Sequence, residues 1–351
     1  MPRGIKTVKQ TRRRRAAALL LVLLTLAVLA FIVTEIISAA SGRLEWETQR
    51  TESDVLRREA FSALEATLGV LGAFQRLDGA LYGPAQGWGT PLKLAAFEAG
   101  DGVTVAVTLR DESGYYGISA MDTFELRRYF EDLGFAETQA QSMADCLADW
   151  TDTGDTPRAN GAERESYTDG VAPPNRPLQS LDELRHVQGF AEAFFNEDGT
   201  GNESWSKLTG SVSLLSGSAL PNINTAPEAV LDVLATRHSF DAPGLLAARS
   251  GSGSINGQTT VYRSASDLGR SGIPVSLGSS VSFSCSRLRV IVRATRGPAS
   301  LVVDTLLDTA GGGSSATVAN PGGRRGNAAA VAQNQYPFAI LRQRVNARLQ
   351  D

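Results

Sequence analysis

The sequence predicts an α+β protein in which one long N-terminal helix leads into a sheet whose strands are separated by a large helical block. Three observations carry this. An apolar run at residues 16–34 continues, with few breakers until Gly69, into an amphipathic pattern. Strand-type alternation occurs at Val103–Arg110 and returns only near residue 281. Helical patterns fill the interval between them.

The elements follow in order. Seven basic residues and no acid stand in residues 1–15, namely Arg3, Lys6, Lys9 and Arg12 through Arg15. The run AAALLLVLLTLAVLAFIVT follows and meets no charge before Glu35. About 20 apolar residues cross a bilayer core as a helix. The arginines before the run place the N-terminus in the cytoplasm and the bulk of the chain on the far side of the membrane. Phe61, Leu64, Leu68, Leu71 and Phe74 then recur every three or four residues, an apolar stripe expected to pack on the protein's own sheet. Helices are expected at Asp122–Leu133, Glu137–Trp150 and Ser180–Val187, the last with Ser180 and Glu183 in a capping box. Another is expected to start at Thr225, with Pro227 and Glu228 in its first turn. Val281, Phe283 and Cys285, then Leu288, Val290 and Val292, then Leu301–Leu307 read as strands.

The expected organisation is a basic cytoplasmic leader at 1–15, a transmembrane helix at 16–40, and an amphipathic helix with the first strand at 41–118. An inserted helical domain spans 119–275, the remaining strands 276–309, and a low-complexity tail 310–351. Within the tail, Phe338–Leu349 reads as a short helix. A loop is expected at Ser250–Gly257.

Composition excludes several functions. Removing the seven leader residues from 34 Lys+Arg leaves 27 against 37 Asp+Glu, so the body is near −10 and unsuited to holding nucleic-acid phosphates. Two cysteines, Cys146 and Cys285, and two histidines, His186 and His238, cannot build a zinc cluster. The cysteines read either as small buried hydrophobes or as one disulfide. No nucleophile elbow or phosphate-cradling glycine loop is present, and neither histidine has a nucleophile in a motif beside it, so no catalytic residue is assigned.

Three stretches resemble the K-type minor pseudopilin family of type II secretion, also called general secretion pathway protein K. They are Leu109–Gly114 with Ile118-Ser119; Asp149–Pro157 with Gly161–Glu163 and Tyr167; and Leu220–Pro227 with Val230-Leu231. Between the last two, Asn175–Leu178, Leu181–Leu184 and Gly189 match in the same order. The resemblance implies a pilin-like long helix on an antiparallel sheet with a large helical domain inserted between strands. It also implies partnership with I- and J-type minor pseudopilins and the major pseudopilin, a place at the pseudopilus tip in initiation and capping, and a part in exporting secreted cargo. The leader departs from the family pattern. The only glycine upstream of the apolar run is Gly4, and Arg15-Ala16 stands at the junction where processing is expected.

Asp149, Asp152 and Asp155 recur every third residue across a helix end into a loop, with Glu163 and Glu165 after them. By composition alone this is a solvated acidic loop with Asp152 or Thr153 as a turn residue. The resemblance implies structural calcium there, held by these five carboxylates. A rival reading comes from Asn222–Ala226, which also looks like the start of a helix-hairpin-helix repeat and would make the chain a membrane-anchored DNA-binding or DNA-uptake protein. The continuation Leu234–His238 lacks the glycine-flanked hairpin of such repeats.

Overall fold

The computed structural model describes residues 5–100, 102–168, 170–252, 257–310 and 336–348, with side chains at 19, 21–38 and from 52 onward. The first helix, α1, runs Ile5–Asp78 without a break. At about 1.5 Å per residue it is roughly 110 Å long. Its two halves meet different surroundings. Leu21–Ser38 has a mean hydropathy of 2.5, contains no buried residue, and is long and apolar enough to cross a membrane. From Val55 onward one face is buried. Leu64, Leu68 and Leu71 of the expected stripe are joined by Leu56, Ala60 and Ala63, while Phe61 and Phe74 are half-buried at the margin.

That face lies on a sheet. After a single turn, α2 (Pro91–Leu94), come β1 (Thr104–Asp111), β2 (Arg287–Arg296), β3 (Ala299–Asp308) and β4 (Ala339–Arg348), adjacent in that order and antiparallel throughout. Gly297, at φ 56°, makes the tight turn from β2 to β3 that pairs Arg296 with Ala299. Val290, Val292, Leu301 and Val303 supply the sheet's share of the core beneath α1.

Two sequence expectations are corrected here. Phe338–Leu349 is not a helix: residues 339–348 form the edge strand β4, with a bulge opposite Leu306/Leu307. An isolated helix this short gains little in water, whereas pairing with β3 satisfies the strand's backbone groups. Residues 311–335 of the expected tail lie outside the described residues, as do 253–256 of the expected Ser250–Gly257 loop. Val281–Cys285 is not a strand either. Its backbone pairs with Pro221 and Ile223, through Ser282 N to Pro221 O and Ile223 N to Ser282 O, both at 2.9 Å, so a turn rather than the sheet ladder takes up its polar groups.

Between β1 and β2 the chain forms α3 (Thr123–Asp132), α4 (Glu137–Thr151), α5 (Phe190–Phe194), α6 (Glu203–Ser211), α7 (Glu228–His238), α8 (Ala242–Ser250) and α9 (Ala265–Arg270). They share a second core, in which Tyr129, Phe130, Phe190, Phe194 and Trp205 pack through tilted and edge-on ring contacts. Ser180 and Glu183 do form a capping box, but the segment they cap, Leu181–His186, is a 3-10 helix. Helix α7 starts at Glu228, three residues later than expected, because the residue before Pro227 is disfavoured in the helical region. Cys146 and Cys285 are free thiols buried in separate cores, the small-hydrophobe alternative rather than a disulfide.

Candidate functional site

The acidic loop grows out of the end of α4. Three- and four-residue spacing puts Asp145, Cys146 and Asp149 on the buried side of that helix. Buried carboxylates need partners. Asp145 Oδ2 accepts from the backbone N–H (3.3 Å) and side-chain amide (3.1 Å) of Asn160, and Gln141 donates to Oδ1 at 2.9 Å. Asp149 is fully buried and Arg158 takes both its oxygens, with Nη1 2.5 Å from Oδ1 and the backbone N–H 3.1 Å from Oδ2. The same Nη1 lies 2.6 Å from Asp152 Oδ2, and Gly154 N–H closes a turn on Asp152 Oδ1 at 2.8 Å. Gly161 makes room for the arrangement: a Cβ there would lie 1.8 Å from Asp149 Oδ2.

Asp155 accepts from Asn175 Nδ2 at 3.3 Å. Glu163 is only 6% exposed, and its Oε1 has no hydrogen-bond partner. Burial raises the Glu163 pKa, and the fields of Asp149, Asp152 and Asp155 add to that rise against the opposing Arg158. Burial acts to raise Asp152 as well, but the hydrogen bonds from Arg158 and Gly154 hold it below the usual carboxylate range. Asp149 and Asp152 are thus joined through Arg158 and Glu163 lies within their field, whereas Asp155 is exposed and bonded to Asn175. Glu165 is exposed on the neighbouring 3-10 turn, Arg164–Ser166. With the side chains as placed, no three His, Cys, Asp or Glu among the described residues close on one metal position. The donor chemistry itself fits a hard divalent cation, since every candidate atom is oxygen and one buried carboxylate oxygen is orphaned. Asp145 and Arg158 were missed in the sequence, and Gly161 entered it only as part of the resemblance. A lone arginine three residues after Asp155 was the available signal.

The Asn222–Pro227 segment has a different role: it joins the two cores. Asp111, at the end of β1, accepts from Ser113 N at 2.9 Å through Oδ1. Its Oδ2 accepts from Asn222 Nδ2 at 2.8 Å and Thr225 Oγ1 at 2.6 Å. Asn222 Nδ2 also donates to the Tyr82 carbonyl at 2.8 Å, and Asn222 N–H to Ser113 O at 2.6 Å. Asn224 donates to the carbonyls of Tyr262 (2.7 Å) and Phe283 (2.8 Å), and its Oδ1 accepts from Tyr262 N–H at 2.8 Å. Arg249 caps the turn by donating to Ile223 O (2.7 Å) and Ala226 O (2.8 Å); burial lowers its pKa to about 10. Burial, then the adjacent Asp111 carboxylate, pushes the Cys285 thiol well up, so it stays neutral beside Asn222. Asn222 and Asn224 are 0% and 6% exposed. Their polar groups are committed to the protein's own backbone and carboxylates.

The histidines lie apart from the loop. His238 Nε2 and Ser280 Oγ are 2.9 Å apart, and His186 is exposed at the end of the 3-10 segment Leu181–His186.

Residues 113–197 match the family model described as type II secretion system (T2SS), protein K. Among solved structures, the chain is similar to one titled as the crystal structure of the GspK-GspI-GspJ complex from the enterotoxigenic Escherichia coli type 2 secretion system. That similarity has 16% identity and a TM-score of 0.47, covering 86% of this chain and 98% of that one. No curated protein matches the chain. The family match begins at the turn leaving β1 and runs through α3, α4, the acidic loop and α5; the Asn222–Pro227 junction lies beyond it. The similarity to type II secretion system protein K thus rests on residues 113–197, with the acidic loop at their centre.

Proposed function

We propose that the protein is a minor pseudopilin of a type II secretion system, a non-enzymatic subunit that helps initiate and cap the pseudopilus for protein export. The reading is carried by the family match at 113–197 on a chain whose α1 is bare and apolar at Leu21–Ser38 and sheet-packed beyond Val55. A helix with no partner for its apolar half requires lipid or neighbouring helices of the same kind. In this reading α1 is the single inner-membrane span, the arginines hold its N-terminus in the cytoplasm, and the sheet and helical cores stand in the periplasm.

The partners are the I- and J-type minor pseudopilins and, below them, the major pseudopilin. No acid precedes Glu35, so a mature chain beginning near Ala16 brings no carboxylate to neutralise the amine of a subunit ahead of it. That suits the tip. In the acidic loop, Asp149, Asp152, Asp155 and Glu163 would hold calcium, which when bound supplies positive charge beside the buried carboxylates of Asp149 and Glu163.

A secretion assay tests this reading. In a host lacking its own K-type subunit, the chain is expected to restore export of that system's substrates. Leu24→Arg or Val28→Arg, each placing a charge in the apolar span, should abolish the rescue. Normal secretion by either variant would refute the proposed role of the anchor.

A further inference from the structure

The acidic loop already contains a cation of its own. One guanidinium, that of Arg158, bridges the carboxylates of Asp149 and Asp152 through a single nitrogen, and the buried Glu163 lies within the field of both. The atoms Arg158 occupies, Asp149 Oδ1 and Asp152 Oδ2, are the ones a cation at the loop would need. Its backbone N–H takes Asp149 Oδ2 as well. The buried Glu163 Oε1 is left over with no donor. One positive charge against those of Asp149, Asp152 and Glu163 leaves the loop short of compensation, and with Arg158 in place no three carboxylates among the described residues converge on a metal position. Arg158 is also free to leave, because its side chain is 37% exposed while that of Asp149 is 0% exposed.

We propose that Arg158 is an internal competitor for a divalent cation: its guanidinium and the metal occupy the same carboxylate oxygens in turn, and cation binding expels Arg158 toward solvent. The inference rests on the reading of the loop as a calcium site. In the metal-free chain Arg158 holds the end of α4 and the loop together, so the fold tolerates chelation. In the loaded chain Glu163 gains the partner it otherwise lacks.

The test uses the full chain in detergent micelles, with calcium chloride as the probe. Calcium affinity is read by isothermal titration and thermal stability by tryptophan fluorescence, with calcium or with chelator. The parent is expected to bind calcium weakly and to melt at nearly the same temperature in both conditions. Arg158→Gln should bind at least about tenfold more tightly, melt lower in chelator, and recover with calcium. Arg158→Lys, which keeps a charge but loses the guanidinium's reach, should fall between them and keeps the comparison open if the glutamine variant does not fold. Glu163→Gln should abolish binding without lowering the melting temperature in chelator. Equal calcium affinity in the parent and both Arg158 variants would overturn the competition while leaving the calcium reading intact. No binding by parent, Arg158→Gln and Arg158→Lys alike would remove the calcium reading itself.

Discussion

Asn224→Ala is expected to lower the stability of the full chain by about 3 kcal/mol, as measured by denaturant unfolding in detergent. The side chain is 6% exposed and serves three backbone groups, the Tyr262 and Phe283 carbonyls and the Tyr262 N–H. Truncation strands all three at a buried position. A buried group left without its partner costs about 1–3 kcal/mol, whereas loss of an exposed hydrogen bond costs little. Asn196→Ala is the control. Its amide bonds Thr200 Oγ1 at 3.0 Å on the surface, so its loss should stay within about 0.5 kcal/mol. Equal effects of the two substitutions would mean that the Asn222–Pro227 segment does not join the cores as described.

Ending the chain after Ala310 is expected to abolish cooperative unfolding of the sheet and to drive aggregation. Without β4, the whole of β3 from Ser300 to Asp308 becomes an unpaired edge. That strand carries Leu301, Val303 and Leu307 on the face toward α1 and Leu306, also buried, on the other. Such an edge invites pairing with other chains. The loss also removes Phe338, 7% exposed against α1, and Tyr336, which stacks on it at 5.4 Å and bonds Glu65. Phe338→Ala alone should cost about 3 kcal/mol, and the truncation more. A 1–310 chain that melts like the full one, by circular dichroism and light scattering, would make β4 dispensable.

The order of elements was legible because its signals are local. The α1 stripe, the alternation at Val103–Arg110 and the Ser180/Glu183 cap each lie within a few residues and act through period or hydrogen bonding. What was misread depends on distant partners. Ile340, Leu341 and Val345 show no clean period, and only pairing with β3 makes them a strand. Val281 and Cys285 alternate as in a strand, yet they are buried by a turn sixty residues upstream, which no local pattern encodes.

In the acidic loop the three-residue spacing of Asp149, Asp152 and Asp155 was readable, while the position of Arg158 between two of them was not. A loop's fold decides which charges meet, and here the space left by Gly161 decides it. Glu165 shows the same limit from the other side. It is close to Glu163 in sequence, yet exposed while Glu163 is buried.

The central claim is that this chain assembles with other minor pseudopilins through its helix and periplasmic body. The most direct measurement is co-expression in membranes with the I- and J-type minor pseudopilins of one secretion system, followed by purification on a tag carried by this chain and by size-exclusion chromatography with mass determination. The account predicts a defined complex containing one copy of each subunit, lost with Leu24→Arg. Elution of the full chain alone, with both partners expressed and folded, would contradict it.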